Sequence, residues 1–422
     1  MVDKKSGRIY LMLYVICTAL LVSSLFFGRL NTLLPNFVAL QLSSPRLYTD
    51  SIVIGGVNGS ILNAAILGMI AMSTVLLARI KPTGFTVACI LLVIGFGFAG
   101  MTVISIPPII FGTWLFAKIK GVRYKNYAHE GLLAFGLSPI LNQIAFGNTR
   151  AFGEYGQYMM AIIVGLVIGL SVPPIAYYLG LHSKNYRMQF ELAGLGIVAM
   201  IFYAGYRTII VDRTEVRDFG MLRSMVGEGT NLWILFIIIF LLFLLFARLM
   251  NPNARADYIT QISAKGNADY ISAFSFSSIL INIAIVGLLS LIYFAVTSTP
   301  FNGIGICALM VSIALACLRL NPIHIPIVLA GVLLSAYTGL YPLNEPLMLF
   351  GYVFSLGITV IYKDTGFLYT ILAGILFNYM NIFSQGFFAG LNLYGSGAAM
   401  GFTIFVVNTL YQAINTKEES HL

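Results

Sequence analysis

Two asparagines, Asn63 and Asn282, stand 219 positions apart inside long apolar runs, and two glutamates, Glu130 and Glu345, stand 215 apart at the ends of others. An amide at membrane depth can hydrogen-bond a polar solute or act as polar glue between helices. A carboxylate at a span end can gate, exchange protons for coupling, or simply complement a helix start. Glu191 also lies near a span entrance but has no acidic counterpart in the second half. Pro107 and Pro326, again 219 apart, each open a short apolar segment followed by Gly112 or Gly331. A helix broken there would free backbone groups, which is tolerated only against protein or a water-filled cavity. Pro at the first position of an ordinary helix is the alternative. Late in the chain, Asn378, Asn381, Ser384 and Gln385 precede a glycine-rich stretch from Gly390 through Asn392 to Gly397. That density of polar groups suggests a lined cavity, an unwound helix join or an outer turn. The substrate-pathway candidates are therefore Asn63, Asn282, Pro107, Pro326, Asn378, Asn381 and Asn392, with Glu130 and Glu345 as coupling or gating groups.

Other chemistry is missing. No HExxH, GxSxG or GxxxxGK[ST] occurs, so no catalytic set, no cofactor and no nucleotide-driven pump are expected. Cys17, Cys89, Cys307 and Cys317 all fall in apolar runs without a CxxC, and the four histidines are scattered. Neither a disulfide framework nor a metal site follows.

The elements that position these residues must be membrane helices. The chain is 59% hydrophobic and 9% charged, with mean hydropathy +0.91; a soluble domain carries about 25% charged residues. The net charge of +9 is spread between apolar runs rather than gathered in a basic patch, so nucleic acid is not an expected partner. Apolar runs are expected to span at about 9–27, 51–78, 84–105, 106–117, 131–147, 158–179, 192–210, 232–247, 270–297, 303–318, 324–338, 346–361, 366–383 and 388–412, most of them near the roughly 20 residues a 30 Å hydrocarbon core requires. With the N-terminus in the cytoplasm, 17 of the 24 basic residues, including every lysine, fall inside, as the positive-inside rule demands. Both termini are then cytoplasmic.

Asp50, Asn63 and Gly68 match Asp269, Asn282 and Gly287, all at an offset of 219. An odd number of crossings separates the copies, so the expected fold is an all-α integral membrane protein. It has about fourteen segments in two inverted-topology repeats with short or broken helices. The expected layout is an N-terminal helix over 1–40, repeat 1 over 41–211, an outer loop and connecting helix over 212–260, inverted repeat 2 over 261–414, and a tail over 415–422.

The Gly390-Leu-Asn-Leu-Tyr-Gly-Ser-Gly stretch, the two-copy layout and the length resemble an uncharacterised bacterial membrane family, domain of unknown function 1576. The resemblance implies no activity. Pro300-Phe301-Asn302-Gly303 is also faintly similar to motifs of urea transporters, from which copy one departs with Pro82-Thr83-Gly84. Inverted repeats are the architecture of many transporters and of some channels. The expected function is therefore an inner-membrane transporter or channel for a small solute, with its pathway between the copies. A proton- or ion-coupled carrier using Glu130 or Glu345, and a membrane enzyme or scaffold, are the alternatives. The expected partners are the bilayer and a small solute, and a homo-oligomer is compatible with the sequence. A polar cavity beside Asn63 and Asn282 would favour transport; a solid apolar interface would count against it.

Overall fold

The computed structural model describes residues 4–44, 50–147, 153–182, 186–209, 229–263, 274–318, 320–338, 343–388 and 394–415. These residues form helices and short turns, with no strand among them. The first half contains α1 (Lys4–Ser23), α2 (Leu30–Gln41), α3 (Ser51–Leu77), α4 (Gly84–Phe96), α5 (Ile106–Ile119), α6 (Ala128–Ala134), α7 (Ser138–Phe146), α8 (Gly153–Val172), α9 (Tyr178–His182) and α10 (Arg187–Ile209). The second half contains α11 (Leu232–Met250), α12 (Ala254–Ser263), α13 (Phe276–Val296), α14 (Gly303–Ala316), α15 (Ile325–Tyr337), α16 (Pro346–Ser355), α17 (Tyr362–Phe388) and α18 (Gly395–Asn415). Seven helical stretches are long and apolar enough to cross a bilayer, and five apolar helices are shorter. The chain is an all-helical, multi-pass membrane-type protein.

Several segments end earlier than their hydropathy suggests. The run expected over 84–105 stops being α-helical at Phe96, where Gly95, Gly97 and Gly100 gather and Gly100 takes φ +95°. The run over 131–147 is divided into α6 and α7 by a 3-10 turn at Phe135–Leu137, with Pro139 in the first turn of α7. The span expected over 366–383 is the body of α17, bent at Gly366 with φ +83°. Hydropathy does not mark two further elements. In α2 Pro35 interrupts the apolar pattern, and α12 carries Arg255, Asp257, Thr260 and Gln261.

Local chemistry explains where helices begin. Asp50 caps α3 by accepting the Ile52 N–H at 2.8 Å. Thr83 caps α4 through its hydroxyl, and Asn302 caps α14 through its amide oxygen. Those two caps are 219 positions apart, so the Asn302-Gly303 pair serves as a helix start. Pro107 and Pro326 both lie in the first turn of their helices, each after a 3-10 turn, at Val103–Ser105 and Pro322–His324.

The centre of the bundle is a helix pair. α4 and α14 run antiparallel in contact over their lengths, with Gly95 against Cys307 and Met310, and Phe98 beside Gly303. Almost every residue of both helices is buried. Asp50 ties the start of α3 to the start of α14, because its buried carboxylate also accepts the Gly303 N–H at 3.1 Å. α10 and α18 form a second antiparallel pair, where Gly196 meets Ala398 and Gly401 meets Ala193.

On the flanks, α5 crosses α8 and α15 crosses α17 through glycines. A Cβ on Gly112 would fall on the Leu166 carbonyl oxygen, and one on Gly169 on that of Ile109. Gly331 and Gly374 repeat this against Ile371 and Val328. Small residues let helix backbones approach closely in membranes. Gly112→Ala and Gly331→Ala are each expected to lower stability by about 1–3 kcal/mol through overpacking. Gly205→Ala, with nothing within 4 Å of the added carbon, should be neutral or mildly stabilising. Thermal unfolding in detergent checks all three.

Candidate functional site

Asn63 and Asn282 are fully buried and do the same job twice. Asn63 Nδ2 donates to the carbonyls of Gly97 at 2.9 Å and Met101 at 2.8 Å. Asn282 Nδ2 donates to Ala316 at 2.8 Å and Leu320 at 3.1 Å. These are the carbonyls released where α4 and α14 stop. The amide oxygens are engaged as well: Gln41 Nε2 donates to Asn63 at 2.9 Å, and the Tyr258 hydroxyl to Asn282 at 3.3 Å. Two cavities lie elsewhere, on the outer flank around α5. Beside the two asparagines the α4–α14 contact is filled mostly by apolar side chains, the outcome that counts against a solute pathway there, and both amides act as structural caps instead.

The remaining candidates from the sequence disperse. Pro107 and Pro326 are exposed at the starts of unbroken helices. Asn378 and Asn381 are buried on α17. Asn381 donates to the Leu347 carbonyl at 3.2 Å, while both amide atoms of Asn378 lack a partner. Asn392 and Asp269 lie outside the described residues. Glu345 is half-buried just ahead of α16 and makes no side-chain cap. Glu130 is in a different setting, fully buried on α6.

Around Glu130 the fold assembles a charged cluster. Arg187, at the start of α10, places Nε 2.6 Å from Glu191 Oε1 and Nη2 3.5 Å from Glu130 Oε1. The arginine side chain is 45% exposed, whereas those of Glu191 and Glu130 are 0% and 1% exposed. Its guanidinium also lies 5.6 Å from the ring centres of Phe85 and Tyr177, which favours a cation there. Next to Glu130, the His129 ring meets Phe85 at 5.0 Å, and its Nε2 lies 2.9 Å from the Thr86 hydroxyl. Gly180 leaves the room that Glu191 occupies, since a Cβ there would come within 2.5 Å of its side chain. One guanidinium thus faces two buried carboxylates, and the second oxygen of each, Oε2, has no hydrogen-bond partner. Such a set can hold a proton or a cation. The described residues contain no group of His, Cys, Asp and Glu arranged for a metal ion.

Reasoning from the sequence misses Arg187 and ranks Glu191 low. The Arg187–Glu191 spacing of four on one helix face is the available signal. The contact to Glu130, 57 positions away, has none.

A family model described as "Protein of unknown function (DUF1576)" matches residues 29–208 and 250–413. The chain belongs to this family. No curated protein and no solved structure matches it. For this DUF1576 chain, then, chemistry must be read from its own side chains.

Asn63→Leu and Asn282→Leu each leave two buried carbonyls unsatisfied, at about 1–3 kcal/mol per group, so both should unfold at clearly lower temperature. Arg187→Gln removes the one cation that contacts the two glutamates among the described residues. It should cost about 2 kcal/mol, less than for a fully buried pair because water reaches the arginine. Adding Glu191→Gln to that variant should recover part of the loss. Melting curves of the single and double variants measure the recovery.

Proposed function

We propose that this protein is a proton-coupled carrier of a small solute, with Glu130, Glu191 and Arg187 as its proton-binding site. The observation that carries the reading is the pair of orphaned carboxylate oxygens beneath one half-exposed guanidinium. Fully ionised, the trio buries one net negative charge. An uncompensated charge in apolar surroundings costs several kcal/mol, and one proton taken up by either carboxylate cancels it. The half-exposed Arg187 side chain gives water access to the cluster. Buried ionisable groups that are incompletely paired are functional-site candidates.

Two inverted copies supply the frame for transport. Equivalent helices α4 and α14, and equivalent helices α10 and α18, pack antiparallel on one another, as elements beside an in-plane two-fold axis would. The matched caps at Asn63 and Asn282 and the matched glycine crossings support the same reading. The α4–α14 contact is filled by apolar side chains, which counts against a solute pathway beside Asn63 and Asn282, so the carrier reading rests on the charged cluster and not on that interface. Charge counting favours a cytoplasmic position for the Arg187 end, with Lys81 and the Lys118–Lys125 turn. No catalytic set stands in the cluster, so an enzymatic role is not part of this proposal.

Proteoliposomes challenged with a mixture of amino acids, sugars, nucleosides and urea, and analysed by mass spectrometry, test it. An imposed pH gradient should drive accumulation of at least one solute. Glu130→Gln and Glu191→Gln should each reduce that accumulation about tenfold or more, while solute exchange without a gradient persists. Failure of every solute to accumulate, or undiminished accumulation in both variants, would overturn the reading.

A further inference from the structure

On the flank of α5, two cavities adjoin. One of about 380 Å³ is a groove between α3 and α5, lined by Ile70, Ile106, Pro107, Ile110 and Phe111 and almost wholly apolar. The other, about 450 Å³, lies at the end of α5 and is more polar, lined by Lys118, Gly121 and Arg123. Trp114 and Tyr124 border both. From Ile106 to Trp114 the groove runs about 12 Å along α5 at 1.5 Å per residue, with Val103 of the preceding 3-10 turn extending it further. That is close to one leaflet, half of a roughly 30 Å hydrocarbon core.

Charge at the polar end has one sign. Lys118 in the last turn of α5, and Lys120, Arg123 and Lys125 just after it, are all exposed. No aspartate or glutamate occurs between Asp50 and Glu130 in the sequence, and Glu130 is buried against Arg187. Lys118 Nζ sits 5.5 Å from the ring centre of Trp114, which is 41% exposed. A tryptophan with a cation above it at the apolar–polar step is the arrangement found at the headgroup level of membrane proteins.

We propose that this composite site binds one anionic phospholipid, an acyl chain in the α3–α5 groove and the phosphate at Lys118 and Arg123. The groove's length and apolar lining fit a chain of one leaflet, and the basic turn fits a negative headgroup. The proposal does not depend on the carrier reading, since none of the residues lining the two cavities belongs to the Glu130–Arg187–Glu191 cluster.

The chain has two tryptophans, Trp114 and Trp233, so Trp233→Phe leaves Trp114 as the only reporter. In nanodiscs, quenching of Trp114 by bromine-labelled phosphatidylglycerol should reach half-maximum at about a tenfold lower mole fraction than with bromine-labelled phosphatidylcholine. Adding Lys118→Gln and Arg123→Gln should abolish that preference. Both side chains are exposed, so an unchanged melting temperature should accompany the loss. Equal quenching by the two lipids in the protein with both cations intact would overturn the proposal, and needs no further variant. So would a preference that survives in the charge-neutral variant. Loss of the preference on adding millimolar inorganic phosphate would assign the basic end to free phosphate instead of lipid.

Discussion

Helices that stop inside the hydrocarbon must satisfy their last carbonyls within the protein. α4 has 13 residues and α14 has 14, about 20 Å each, while the apolar slab is about 30 Å thick. Water cannot reach the freed carbonyls at such depth, and an unsatisfied one is costly. Asn63 and Asn282 meet this requirement, each with two donor hydrogens on two carbonyls of the turn that follows. Because those caps hold, the chain can turn within the membrane and deliver the 3-10 turns and proline-led helices α5 and α15 to the flanks. The central α4–α14 pair, and everything packed on it, rests on two amide groups.

Charge is handled on different terms. Asp50 is buried but receives two backbone N–H groups at helix starts, where a negative group is favoured. Glu130 and Glu191 depend instead on one shared guanidinium, which is itself set against two aromatic rings and open on one side. The asymmetry between these sites separates a fully satisfied structural carboxylate from the incompletely paired ones proposed to bind a proton.

Much of the architecture is legible in the sequence, and the misses have physical causes. Spacing alone marks Asn63 and Asn282 as equivalent. It cannot show that their partners are carbonyls 34 and 38 positions downstream, because only packing brings those together. The prolines correctly mark the starts of α5 and α15, yet hydropathy runs past Phe96, since glycines are apolar enough to extend a run while breaking its helix. Symmetry is a misleading filter for the acids. Glu130 and Glu345 match in sequence but not in surroundings, while Glu191, which has no matching acid, is the residue that shares Arg187 with Glu130. The glycine-rich stretch reads as a cavity lining or a turn, but its Tyr394 is buried between the halves. The tyrosine hydroxyl donates to the Leu133 carbonyl, and its ring stands edge-on to Phe96 at 5.6 Å.

The glycine crossings also divide the molecule into parts that can and cannot deform. Where α5 meets α8 and α15 meets α17, backbone rests directly on backbone, so there are no side-chain rotamers to rearrange and no slack to take up. Each pair behaves as one stiff beam. The α10–α18 contact is built from small residues too, but it joins segments from opposite halves rather than neighbours within one. Against these stiff pairs, α3 and α17 are bent near their starts at the positive-φ glycines Gly56 and Gly366.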